Sequence, residues 1–185
     1  MHQSTLFTKS PVWRRFDNMP DWSRPHALNS WLNEQKSLTQ RLRTTWSNVN
    51  VTVLLENKQP PFIVESQYLH TPRHHYHLVR EVMLHSNSKP LIFARTIIPP
   101  MSFKIAQGAL TRLKTKPLGE VLFSTQSLKR QLIGITHIEP MLWSNNIQKR
   151  YPINMPVLGR CTCYYLDNKP IIVNEFFLPT LFEKL

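Results

Sequence analysis

The sequence of 185 residues predicts a single α+β domain built on an antiparallel β-sheet, with helices inserted between its hairpins. Three observations predict it. Segments of period-two alternation come in pairs joined by turn residues: 76–84 and 91–98 flank Asn87-Ser88, and 159–166 and 171–177 flank Asp167-Asn168. Helical spacings interrupt the strands irregularly, so the βαβα rhythm of a doubly wound sheet is missing. Hydrophobic residues make up 41% of the chain and aromatic residues 10%, enough for a core and too many for a disordered chain.

Residues 1–22 read as an irregular segment that packs loosely ahead of a domain over 23–185. Ser23-Arg24-Pro25 has the form of a helix start, with Pro25 near the first turn. Leu28, Trp31 and Leu32 then form an apolar stripe, and Gln35 continues the spacing. Ser37-Leu38-Thr39-Gln40 fits a capping box that opens a second helix, on which Leu38 and Leu42 lie four apart. Residues 49–56 are rich in strand formers, and Pro60-Pro61 breaks the chain after them. Residues 62–69 are expected to be a second, more irregular extended stretch. Beyond the hairpin ended by Pro99-Pro100, residues 102–115 read as a helix with Phe103, Ala106, Leu110 and Leu113 on one side. Lys116-Pro117-Leu118-Gly119 resembles a further helix start. Residues 128–138 are a strand, and 144–157 an excursion loop rich in Asn and Pro. There is no internal repeat and no low-complexity segment.

Side chains of a strand alternate between the two faces of its sheet. Tyr76, Leu78, Arg80, Val82 and Leu84 share a face of one strand; Leu91, Phe93, Arg95 and Ile97 share a face of its partner. Ile171, Val173, Glu175 and Phe177 share a face of the last. Each face is apolar apart from one charged residue near its middle. A charge in a core is costly unless it is paired, and two arginines with one glutamate leave one positive charge over. Either an anionic ligand completes the balance, in a largely enclosed site, or the three form a buried ion pair whose extra arginine reaches out to water. Free N–H groups at the helix starts at Leu38 and Leu118 are suited to a carboxylate.

At these residues the chain resembles the chorismate–pyruvate lyase, or 4-hydroxybenzoate synthase, family. The matching stretches include Ser30-Trp31-Leu32, Lys36-Ser37-Leu38-Thr39-Gln40-Arg41, Val49-Asn50-Val51-Thr52-Val53 and Arg80-Glu81-Val82-Met83-Leu84. They continue with Ala94-Arg95-Thr96-Ile97-Ile98-Pro99, Pro117-Leu118-Gly119, Leu122-Phe123-Ser124, Lys169-Pro170-Ile171 and Asn174-Glu175-Phe176-Phe177-Leu178-Pro179. Order and most of the spacing agree from about residue 28 to 179. The resemblance implies helical flaps enclosing a buried ligand, and a reaction that splits chorismate into 4-hydroxybenzoate and pyruvate toward ubiquinone in the bacterial cytoplasm. It implies that Arg80 holds the ring carboxylate with the amides of Leu38 and Leu118, and that Glu175 meets the oxygen at the far end of the ring. Arg95 is then a further candidate, serving the enolpyruvyl carboxylate or balancing Glu175. No metal and no organic cofactor is implied. The sequence departs from the family at Leu38, where Met is common, at Lys116, where Thr often caps the helix, and around 144–157, which reads as an insertion.

The net charge of +12 suits an anionic partner. The basic surface either steers a dianionic substrate or sits near an anionic membrane, where a downstream prenyltransferase would take the product. A monomer is expected. A ligand-sensing domain related to repressor effector domains is the alternative reading, although some 25 residues before the first helix are too few for a winged helix. Trp13-Arg14-Arg15-Phe16 invites nucleic acid, but no recognised nucleic-acid motif accompanies it, and none is expected to bind. His74-His75-x-His77 reads as a partly solvated approach to a strand rather than a metal site. Cys161 and Cys163 fall on one face of a strand, unsuited to a disulfide, and read as reduced packing residues. Residues 1–10 hold no apolar run of the signal-peptide kind, and no stretch approaches the ~18 apolar residues of a membrane span.

Overall fold

The alternating segments pair into one six-stranded antiparallel sheet in a computed structural model that describes residues 4–15, 26–105 and 128–184. The strands are β1 (Val49–Gln59), β2 (His77–Ser86), β3 (Lys89–Ile98), β4 (Lys129–Ile138), β5 (Val157–Leu166) and β6 (Lys169–Phe177). Their order across the sheet is β1-β2-β3-β6-β5-β4, so the β3–β6 pairing joins the two halves. Both expected hairpin turns form. Asn87 has a φ of 53°, and Asp167 and Asn168 have φ of 46° and 62°. Asn and Asp tolerate this left-handed region, and two successive positive φ values match the twist of a two-residue hairpin.

The described helices are α1 (His26–Leu32), α2 (Leu38–Thr45), α3 (Ile63–Tyr68), α4 (Pro100–Ile105) and α5 (Asn145–Arg150). α1 buries the predicted stripe of Leu28, Trp31 and Leu32, and the Ser37 hydroxyl caps α2 by accepting from the Gln40 N–H. Two elements correct the expectations. Residues 63–68 are helical, not extended, because the Glu65 carboxylate reaches back to the Phe62 N–H at 2.8 Å and satisfies a first-turn donor. Residues 145–150 are a helix, not loop, capped by Ser144, whose Oγ accepts from the Ile147 N–H at 3.3 Å. Its single apolar residue, Ile147, gives no period to read. The helix expected over 102–115 is described only to Ile105, and the start at Leu118 lies outside the described residues.

The sheet is covered on both faces. α1 and α2 pack over Leu84, Ile92, Ala94, Ile135, Leu158 and Phe177, on the face that carries Arg80. Phe103 of α4 packs on the same face against Ile98, Tyr164, Ile171 and Val173. The opposite face carries Arg95. It is covered by α3, α5 and the segment 4–15, which was expected to pack loosely but buries Leu6 and Phe7 against Phe93, Trp143 and Phe176. Arg14 and Ile135 exchange backbone hydrogen bonds of 2.8 Å, and Gly134 permits this approach because a Cβ there would lie 2.6 Å from the Arg14 carbonyl oxygen.

The register separates the charges that sequence had grouped. Arg95 stands opposite Glu81 and Asn174, on the face away from Arg80 and Glu175. Its guanidinium grips Glu65 through Nε at 2.9 Å and Nη2 at 3.1 Å, and donates from Nη1 to Glu81 at 2.7 Å. Burial opposes the charge on Arg95, but Glu65 and Glu81 together hold its pKa above the ordinary value. Glu81 also accepts from Ser4 Oγ at 2.6 Å and from the Thr5 N–H at 2.7 Å. Arg95 therefore neither balances Glu175 nor faces a ligand beside it. Its cluster locks α3 and the N-terminal segment onto the sheet. Arg95→Met is expected to cost about 3–5 kcal/mol by leaving two buried carboxylates uncompensated. Urea denaturation checks this, with ligand affinity of the folded fraction unchanged.

Candidate active site

On the Arg80 face, cross-strand partners form rows. One row runs Arg80, Thr96, Val173, Thr162 across β2, β3, β6 and β5. The next runs Val82, Ala94, Glu175, Arg160 over the same strands. Arg80 and Glu175 thus stand two strands and one row apart, about 10 Å across the sheet and about 7 Å along it. The floor between them is Val82, Ala94, Thr96 and Val173, all short side chains. The floor is thus flanked by a cation at one end and a carboxylate at the other.

Arg80 has 3% of its side chain exposed and is ion-paired with Glu56 of β1, which is 44% exposed. Glu56 reaches this face because the pairing of β1 with β2 shifts register between Val53 and Leu55. Glu175 is 13% exposed and accepts from Arg160 Nε at 2.6 Å. Arg160 is fully buried, and its Nη1 donates to the carbonyl oxygens of Trp31, Leu32 and Glu34 at 3.1, 3.0 and 2.8 Å. A cation here meets carbonyls at the C-terminal end of α1 and in the turn after it, where helix hydrogen bonding runs out. The same contacts place the turn into α2, and with it Leu38, whose side chain is buried in the layer over the sheet. Arg41 completes the joint by donating to the Ser30 carbonyl at 2.5 Å and lying 4.1 Å over the Trp31 ring.

Of the five residues expected at the site, the structure puts Arg80 and Glu175 on one face, with Leu38 in the helical layer above it. It moves Arg95 to the other face, and Leu118 lies outside the described residues. Arg160 was missed, although the period-two test that picked out Arg80 also marks it, between Leu158 and Thr162 on β5. The predicted sum of one surplus positive charge does not hold for these pairs: Glu56 is paired with Arg80 and Glu175 with Arg160, so two arginines meet two carboxylates.

The other candidate groups are structural. Cys161 and Cys163 are free and buried, and burial pushes the Cys161 thiol well above its ordinary pKa. His77 is buried with Nε2 3.0 Å from Thr71 Oγ1, while His74 and His75 are exposed; no group of three metal-ligating side chains occurs among the described residues. Trp13 packs against Phe176 at 5.9 Å instead of offering a stacking surface. No described helix is long and apolar enough to cross a membrane.

The family model for chorismate lyases matches residues 7–185. The chain belongs to the chorismate lyase family. It is 33% identical over 155 residues to a probable chorismate pyruvate-lyase of Methylococcus capsulatus, covering 83% of this chain and 96% of that protein. It is 31% identical over 159 residues to a probable chorismate pyruvate-lyase of Thiobacillus denitrificans, covering 85% of each. The fold is shared more widely. A solved transcriptional regulator of the GntR family from Bacillus cereus superposes with a TM-score of 0.57 at 12% identity, over 74% of this chain and 96% of that one. Membership makes a lyase the chemistry to test against the Arg80 face.

Electrostatic coupling extends along that face to Tyr164, whose pKa is pushed up to about 12 by burial and then by the charge of Glu175, with Arg160 and Arg130 opposing. The folded state therefore keeps a proton that the unfolded state loses near the ordinary value of 10.0. Stability is expected to fall as pH rises from about 10 toward 12, by up to about 3 kcal/mol. Denaturation midpoints across this range in wild type and Tyr164→Phe check it: the variant should lose part of the slope.

Proposed function

We propose that the protein is a chorismate pyruvate-lyase that converts chorismate into 4-hydroxybenzoate and pyruvate in the cytoplasm, as the first committed step toward ubiquinone. The observation that carries this reading is the pair of buried Arg80 and largely buried Glu175, in neighbouring rows of one face across a floor of small side chains. Chorismate has a carboxylate at one end of its ring and oxygen substituents at the other, which matches a cation and a carboxyl group set about one ring apart.

The elimination breaks the bond between the ring and the enolpyruvyl oxygen, and the electron pair leaves with that oxygen. The ring carbon bearing the hydroxyl gives up its proton, and the ring becomes aromatic. The released enolpyruvate takes up a proton and tautomerises to pyruvate. Aromaticity supplies the driving force, so the protein has only to orient the substrate and manage charge and protons. Arg80 and the backbone amides of Leu38 and Leu118 grip the ring carboxylate. Glu175, held by Arg160, acts at the ether oxygen as proton donor or hydrogen-bond partner. No metal or organic cofactor takes part. The surplus of basic side chains draws in the dianionic substrate. A product held in an enclosed pocket leaves slowly, so release limits turnover.

The decisive assay incubates the protein with chorismate and follows 4-hydroxybenzoate and pyruvate together by chromatography. Equal yields are expected, with kcat/KM lowered at least about 100-fold in both Arg80→Ala and Glu175→Gln. A folded protein that binds 4-hydroxybenzoate without turning over chorismate would instead be a sensor of aromatic acids. The absence of both binding and turnover would refute the assignment altogether. Glu56 competes with the ligand carboxylate for Arg80, so Glu56→Gln should bind 4-hydroxybenzoate several-fold more tightly and turn over more slowly, measured by calorimetry and steady-state kinetics.

A further inference from the structure

Several buried donors on the Arg80 face have no acceptor among the described residues, and two of them, Arg160 Nη2 and Thr162 Oγ1, lie in the rows that hold Glu175 and Arg80, whereas Arg130 Nε and Nη2 lie farther off on β4. Arg160 Nη2 and Thr162 Oγ1 belong to fully buried residues and make no hydrogen bond among the described residues. They sit two residues apart on the same face of β5, about 7 Å along the strand. Arg160 shares its row with Glu175, and Thr162 shares the row that begins with Arg80.

The guanidinium of Arg95 shows what a completed contact looks like in this protein. One edge of a guanidinium presents Nε and Nη2 in parallel, and Arg95 uses both on the two oxygens of Glu65. Arg160 uses only Nε of that edge, on Glu175. Its Nη2 therefore points to the side on which Glu175 stands. A buried donor left without an acceptor is costly, and native proteins seldom keep two together without a partner. Both groups here are donors, one of them cationic. The complementary ligand atom is an anionic oxygen.

We infer that Arg160 Nη2 and Thr162 Oγ1 form a second carboxylate subsite, which takes the enolpyruvyl carboxylate of the substrate. This rests on the lyase reading proposed above. Arg80 meets the ring carboxylate on β2, the ring lies over Ala94 and Thr96, and the side chain of the substrate extends over β6 and β5 beyond Glu175. Arg160 then has two duties: it orients Glu175 through Nε and binds the leaving group through Nη2. The subsite separates the dianionic substrate from the aromatic product, because 4-hydroxybenzoate has no second carboxylate to offer it.

The test compares Thr162→Val and Thr162→Ser with wild type. Valine matches threonine in shape and removes only a hydroxyl that has no partner among the described residues, so the melting temperature should hold. Thr162→Val is expected to raise the KM for chorismate about tenfold and to weaken inhibition by pyruvate, with the dissociation constant of 4-hydroxybenzoate unchanged. Thr162→Ser should retain wild-type values. Arg160→Lys keeps the charge but loses the fork, and should shift the chorismate KM further. An unchanged chorismate KM in a folded Thr162→Val protein overturns the subsite, as does an equal loss of affinity for chorismate and 4-hydroxybenzoate. Absence of chorismate turnover in wild type overturns the lyase reading and the subsite with it, whereas normal wild-type turnover with an unaffected valine variant removes the subsite alone.

Discussion

The buried guanidinium of Arg160 joins the helical layer to the sheet. Taking a charge out of water costs several kcal/mol unless partners replace the lost hydration. Here Glu175 supplies one partner, and three carbonyl oxygens at the end of α1 and in the following turn supply the rest. Helix hydrogen bonding runs out at this end of α1, where only the Trp31 oxygen has a backbone partner among the described residues, the Glu34 N–H at 3.3 Å, so one cation serves four acceptors at once. The start of α2 follows directly from this joint. The orientation of Glu175 and the position of Leu38 over the sheet therefore depend on one side chain.

The two faces of the sheet put the same residue types to different uses. On the Arg95 face, one arginine meets two glutamates, and the surplus negative charge is absorbed by hydroxyl and backbone donors of Ser4, Thr5 and Leu6. Every edge of that guanidinium is engaged, and the cluster fastens α3 and the N-terminal segment to the sheet. On the Arg80 face, the pairing is looser. Each of two buried arginines has one carboxylate, Glu175 for Arg160 and the half-exposed Glu56 for Arg80, and donors including Arg160 Nη2 and Thr162 Oγ1 stand without acceptors among the described residues. A guanidinium engaged at every nitrogen rigidifies its surroundings, while one with an unsatisfied N–H is poised for a ligand. The difference comes from what covers each face and not from the composition of the strands.

Much of this arrangement was legible in the chain. The hairpin turns at Asn87-Ser88 and Asp167-Asn168, the apolar stripe of α1 and the Ser37 cap are local features, set by backbone preference and short-range hydrogen bonds. The helices at 63–68 and 145–150 were not legible, because each is too short to display a period. The alternation along β2, β3 and β6 singled out Arg80, Arg95 and Glu175 as charges at buried positions, and all three are largely or fully buried.

Which face each charge occupies is a different kind of fact. Alternation within one strand fixes relative directions along that strand only. The phase between strands is set by pairing register, and by shifts such as the one between Val53 and Leu55 that turns Glu56 toward Arg80. The sequence by itself determined the strands, their turns, the family and the presence of isolated charges in apolar stretches. Only the tertiary structure decided that Arg95 belongs with Glu65 and Glu81 while Arg160 belongs with Glu175. Those partners lie between 14 and 30 residues apart in the chain, and pairing across the sheet brings them within hydrogen-bond distance.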